Sequence, residues 1–259
     1  MADLTVATGL FLLSASFFAG FVDSIAGGGG LIQLPALLIG LPKTETVTVL
    51  GTNKLGSVFG TTVAAGLYRR QIKPEPKVLI AMALPAFIGS ATGASLASRI
   101  PTSSLRPIVL ILLVVVAIYT WFKPDLGKIE LLRHHSTRRV QIAALAGVVI
   151  GFYDGIFGPG TGSFLMLVLV ASLGYAFITA SAIAKVVNVS TNLGAILIFG
   201  IHGAIIWQIG LALGAANVTG AVIGSRLAIR GGSTLVRRVF LIVTVALIIK
   251  VGIDTFQSF

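Results

Sequence analysis

The chain has 259 residues, of which 56% are hydrophobic and only 10% charged, and its mean hydropathy is +1.01. Ordinary soluble domains carry roughly 25% charged residues, so this composition excludes that class and indicates an all-α integral membrane protein. The net charge of +11 does not imply nucleic acid, because the basic residues fall in short loops between apolar runs, where they orient membrane segments and attract anionic lipid.

The predicted elements begin with an apolar segment over 4–26, which lacks the basic start of a secretory signal and reads as a retained first helix. Within 20-GFVDSIAGGGGLIQLPALL-38, Asp23 and four consecutive glycines interrupt what is otherwise a membrane-spanning run. Each glycine costs a helix roughly 1 kcal/mol against alanine, so the helix is predicted to end there. Residues 31–41 then rise only about 16 Å as a helix, around half a bilayer core, which predicts a half-helix. Segments 46–68, 78–98 and 105–122 follow, and runs such as 108-IVLILLVVVAIYTWF-122 lack the alternation of a β-barrel.

The same order recurs at 138–157, 162–173, 177–200, 205–229 and 235–253. A gapless shift of 131 positions carries Gly20, Phe21, Asp23, Gly27 and Gly29 onto Gly151, Phe152, Asp154, Gly158 and Gly160, and Lys54 onto Lys185. The chain therefore reads as an internal duplication within one transmembrane transporter domain, 1–259: repeat one about 4–122, a cytoplasmic loop 123–139, and repeat two about 138–253. Five segments per copy is an odd number, so the second copy is expected to enter the membrane from the opposite side. Charge supports inversion: loops 69–77, 123–139 and 226–238 carry 13 basic residues on one face, against four (Lys43, Arg99, Arg106, Lys250) on the other. Both termini are expected outside.

Lys54 and Lys185 are the two basic residues inside apolar segments. A mid-membrane lysine costs at least about 2.5 to 3.5 kcal/mol, so it faces a partner or water. Helical spacing sets Lys54, Ser57 and Thr61 on one face and Lys185, Asn188 and Asn192 on the matching face of the other copy, with Asn53 and Thr191 flanking. Two readings stand side by side: a structural ion pair with Asp23 or Asp154, and a two-lysine site for an anion at which the half-helix N-termini also converge. The backbone at Gly29, Gly30, Gly160 and Thr161 belongs to that site. Asp23 and Asp154 are candidates for proton coupling or gating, or act as local caps of the glycine turns.

Other chemistries find no support. The cysteine count is zero, and His134, His135 and His202 form no metal-ligand set. No nucleophile lies near a plausible base, so the chain reads as a non-enzyme without a cofactor. An anion channel, or an uptake permease for another small anion, would fit the same lysines.

The duplicated GFVDSIAGGGG...LPALLIGLP...GTNKLGSVFGT, with GFYDGIFGPGTGSF...ASAIAKVVNVSTNLGA in the second half, resembles the sulfite exporter TauE/SafE family, also called the 4-toluene sulfonate uptake permeases. The resemblance runs from Gly9 to about Ile253. It implies an inner-membrane secondary transporter of small sulfur-containing anions such as sulfite, sulfoacetate or related organosulfonates. It also carries a binding role onto Asn53, Lys54, Lys185 and Asn188. The second copy departs from the first at Ala184, which matches Asn53, and at Pro159, which matches Gly28.

Overall fold

The computed structural model describes residues 5–99, 114, 122 and 127–256, and among these there is no strand. The helices are α1 (Val6–Ala26), α2 (Gly30–Gly40), α3 (Thr46–Gln71), α4 (Pro76–Leu96), α5 (Ser136–Ile156), α6 (Thr161–Leu167), α7 (Phe177–Ile201) and α8 (Trp207–Phe256). A π-helical turn, Val168–Ser172, extends α6. Gly232, at φ 60° and ψ −163°, interrupts α8, so the segments expected at 205–229 and 235–253 are its two arms. The segment expected at 105–122, apart from 114 and 122, lies outside the described residues, as does Arg106.

Among the described residues, five helical stretches are long and apolar enough to cross a membrane: α1, α4, α5, α7 and residues 207–246 of α8. The protein is thus a multi-pass membrane protein. Outward-facing Leu10, Leu84, Ile88, Leu145 and Val149 are exposed, as an apolar surface meant for lipid requires. Helix α3 is 26 residues long but more polar, and it turns Thr52, Asn53, Lys54 and Thr61 inward, where they are buried. Its neighbours supply the shielding that its own sequence does not.

Small residues set the helix contacts, as expected where close van der Waals packing must replace the hydrophobic effect. Along α1 and α8, a Cβ added to Gly20 would lie 2.2 Å from the Asn217 carbonyl oxygen, and one added to Gly220 would lie 1.9 Å from that of Phe17. Along α5 and α4, the equivalent Gly151 meets the Ala86 carbonyl at 2.4 Å and Gly89 meets that of Val148 at 2.4 Å. Each of these contacts maps onto its counterpart by the 131-residue shift. The first helix of each copy therefore packs against the fourth helix of the other.

Helices α3 and α7, which the duplication makes equivalent, run antiparallel. The start of α3 meets the end of α7, where Thr52 Oγ1 accepts from the Ile206 N–H at 3.0 Å. The end of α3 meets the start of α7, where the hydroxyls of Ser181 and Tyr68 lie 3.4 Å apart. That second end also gathers the basic loops. Arg139 pairs with Glu75 at 2.8 Å, Ser136 donates to the same carboxylate, and Ser233 accepts from the Ile178 N–H at 3.3 Å.

Candidate functional site

The site forms where the two glycine breaks meet. Helix α1 ends at Gly27, whose positive φ of 81° lets its N–H turn back to the Asp23 carbonyl at 2.9 Å. In the second copy Gly158 and Gly160 take φ values of 91° and 85° on either side of Pro159. The breaks pack backbone against backbone: a Cβ on Gly27 would lie 2.6 Å from Gly162 Cα, and one on Gly162 would lie 2.4 Å from Gly27 Cα. Ser163 stitches the junction by donating to the Ala26 carbonyl at 3.2 Å. Neither α2 nor α6 carries a side-chain cap at its N-terminus.

The lysines cross between copies. Lys54 Nζ lies 2.5 Å from Asp154 Oδ2, and Lys185 Nζ lies 3.0 Å from Asp23 Oδ2. Thr161 donates to the other Asp154 oxygen at 2.6 Å. Lys185 also donates to the backbone carbonyl of Asp23. Such pairing is what makes a buried ammonium tolerable, since an unpaired charge in this setting would be far more costly.

One cavity of about 40 Å³ gathers most of the sequence-derived residues: Asn53, Lys54, Ser57, Thr61, Asn188, Asn192, Gly29, Gly30, Gly160 and Thr161, together with Asp23 and Asp154. Lys185 is not among the residues that line it and is fully buried behind Asp23. This volume holds a few waters, each needing roughly 10 to 15 Å³. Its walls are unusual in their unused polar groups. Among the described residues, the Oδ1 atoms of Asn53 and Asn188 are buried without a hydrogen-bond partner, in residues only 5% and 7% exposed. Ser57 lines the same wall, where its carbonyl accepts from the Thr61 hydroxyl at 2.8 Å. Buried carboxamides are normally satisfied, so two without a full set of partners at one cavity make it the candidate site.

Sequence reasoning overlooks a second polar group at the same cavity. Asn217 of α8 lines it and donates to the Ser16 carbonyl at 3.1 Å and to Gln33 Oε1 at 3.0 Å. The duplication hides this residue, because Ala86, Gly147 and Phe164 stand where copy one or its partner has Asn217, Ser16 and Gln33. The available signal is a lone asparagine within an otherwise apolar stretch, LALGAANVTGAV.

The chain matches the sulfite exporter TauE/SafE family over residues 12–251. It is 41% identical over 256 residues to the probable membrane transporter protein ORF9 of Sinorhizobium sp, covering 98% of this chain and 96% of that protein. It is 36% identical over 252 residues to the probable membrane transporter protein YfcA of Escherichia coli strain K12, covering 94% and 91%. A probable membrane transporter protein of Haemophilus influenzae is 34% identical over 244 residues, covering 94% of each. No solved structure matches the chain. With the family matched across nearly its whole length and its relatives all described as transporters, this chain is a membrane transporter belonging to the TauE/SafE family.

Proposed function

We propose that the protein is a secondary transporter of small sulfur-containing anions, such as sulfite, sulfoacetate or other organosulfonates, in the inner membrane. Export is the direction that the family's description suggests. The observation that carries the anion reading is Lys54 with the incompletely partnered carboxamides of Asn53 and Asn188 in one cavity between the two breaks. Amide N–H groups, a serine hydroxyl, an ammonium and the start of α2 are together suited to the oxygens of an anion. The binding set is Asn53, Lys54, Ser57, Thr61, Asn188 and Asn192 with the backbone at Gly29, Gly30, Gly160 and Thr161. Lys185, sealed behind Asp23, acts on this site only by holding that carboxylate.

The two copies act as inverted repeats that rock about this site. Support comes from the antiparallel course of α3 and α7, and from the crossed contacts that repeat under the 131-residue shift. Loops 69–77, 127–139 and 226–238 then face the cytoplasm, where their charge favours anionic lipid.

The test is uptake by proteoliposomes offered sulfite, sulfoacetate, taurine, sulfate and chloride, with and without a pH gradient. Saturable, mutually competing flux of a sulfur anion is expected. Non-saturating flux shared with chloride would replace the carrier by a channel, and no flux of any sulfur anion would remove the substrate class.

A further inference from the structure

The buried charges of the site cancel as two pairs, which poses a difficulty for any anion that enters. Lys54, Asp23 and Asp154 line the cavity while Lys185 does not, so an arriving anion meets two carboxylates and one reachable ammonium. That ammonium is already held by Asp154 at 2.5 Å. Adding a further negative charge to a neutral, buried cluster leaves it uncompensated, which is among the costliest arrangements a protein interior can hold.

We propose that Asp154 takes up a proton as the anion binds, so that anion and proton enter the site together. The inference rests on the anion reading given above and adds the chemistry that makes it electrically possible. The carboxylate becomes a neutral acid and stays beside the Thr161 hydroxyl, which lies 2.6 Å from its Oδ1. Lys54 is released from Asp154 and turns its ammonium to the anion, with Asn53, Ser57 and Asn188 completing the shell. No bond other than the O–H of Asp154 forms, and the net charge of the site stays at zero for a monovalent anion.

The two aspartates are not interchangeable in this role. Asp23 holds Lys185 through its carboxylate and through its own backbone carbonyl, and Lys185 has no opening to the cavity. A proton on Asp23 would strand a buried ammonium and free nothing for the anion. The remaining groups near Asp154 are accounted for. On α5 its neighbour Tyr153 donates its hydroxyl to the Pro159 carbonyl, whereas Tyr68 of α3 belongs to the Asp23 side, where it donates to the Ser24 carbonyl at 2.9 Å. The residues that α2, α6, α7 and α8 present to the cavity are all neutral: Gly30, Thr161, Gly162, Asn188, Asn192 and Asn217.

The proton can be counted directly. Purified full-length protein in weakly buffered detergent solution is titrated with methanesulfonate, sulfoacetate, taurine and sulfate while a pH-indicator dye reports proton uptake and calorimetry reports binding. For an anion that binds, the wild type should take up about one proton more per anion than D154N, and its affinity should fall about tenfold per pH unit once Asp154 is ionised. D154N should bind with an affinity indifferent to pH, and K185Q/D23N, which removes the other pair without stranding a charge, should keep the proton uptake. Binding to the wild type without proton uptake overturns the proposal and leaves the anion reading standing, with no variant needed. Equal uptake in wild type and D154N also overturns it. Failure of every anion to bind removes the anion reading and the proposal with it.

Discussion

Lys54 and Lys185 stand at equivalent positions of a duplicated sequence, and each is paired with the aspartate of the other copy, but their surroundings differ. Lys54 touches the cavity and its ammonium reaches the second glycine break, where a Cβ on Gly158 would lie 2.8 Å from it. Lys185 is sealed, with a carboxylate and a backbone carbonyl both directed at it. Duplication fixes where a charge sits along its helix, whereas the neighbouring helices decide whether it can be exchanged. One pair is therefore placed to handle a ligand, and the other to hold the copies together.

This contrast is open to attack from both sides. The largest effect is expected from the junction on which both pairs depend: G162A drives a Cβ to 2.4 Å from Gly27 Cα, with backbone on both sides and nowhere to move. It should abolish folded, monodisperse protein on size-exclusion chromatography, whereas G66A, with nothing within 4 Å, should be tolerated. Next, K185Q should cost about 3 to 5 kcal/mol of stability by leaving Asp23 unpaired, read as a lowered midpoint of thermal unfolding in detergent. K185Q/D23N should recover most of that loss and retain transport. K54Q/D154N should likewise fold but not transport, and equal transport by the two double variants would erase the distinction.

Smaller effects sharpen the polar asymmetry of the cavity. N217A leaves Gln33 Oε1 and the Ser16 carbonyl without their donor, and should cost about 1 to 3 kcal/mol of stability while altering the ranking of substrates in competition assays. The smallest effect belongs to the basic end. Hydrogen bonding to Arg139 lowers the Glu75 pKa below its ordinary value, so this pair stabilises the fold above the unfolded carboxylate pKa and the contribution fades as pH falls through the folded one. The pair is partly exposed, so E75Q should shift stability at neutral pH by no more than a few tenths of a kcal/mol, vanishing in acid.

Much of this architecture was legible in the sequence because membrane segments and glycine breaks leave strong local signals. The half-helix expected at 31–41 is α2, Gly30–Gly40, and the lysine-bearing segment expected at 177–200 is α7, Phe177–Ile201. The alternative of an ion pair for each lysine was legible too. Its crossed pattern was not, because nothing in a linear repeat says that Lys54 meets Asp154 rather than Asp23. Nor does periodicity reveal that α7 lies against Asp23 closely enough to hide Lys185. Asn217 escaped for the converse reason: the repeat draws attention to what is doubled, and Ala86 stands at its counterpart.

A transported anion held in the cavity around Lys54 must lose affinity when the Lys54–Asp154 pair loses its charges. This is tested by calorimetric binding of that anion to purified wild type and to K54Q/D154N, in which both charges of the cavity-lining pair are replaced by amides of similar size. The account predicts a folded double variant whose affinity is weaker by about 100-fold or more, equivalent to roughly 3 kcal/mol, as for loss of a buried charge partner. Affinity within a few-fold of wild type in that variant would contradict it.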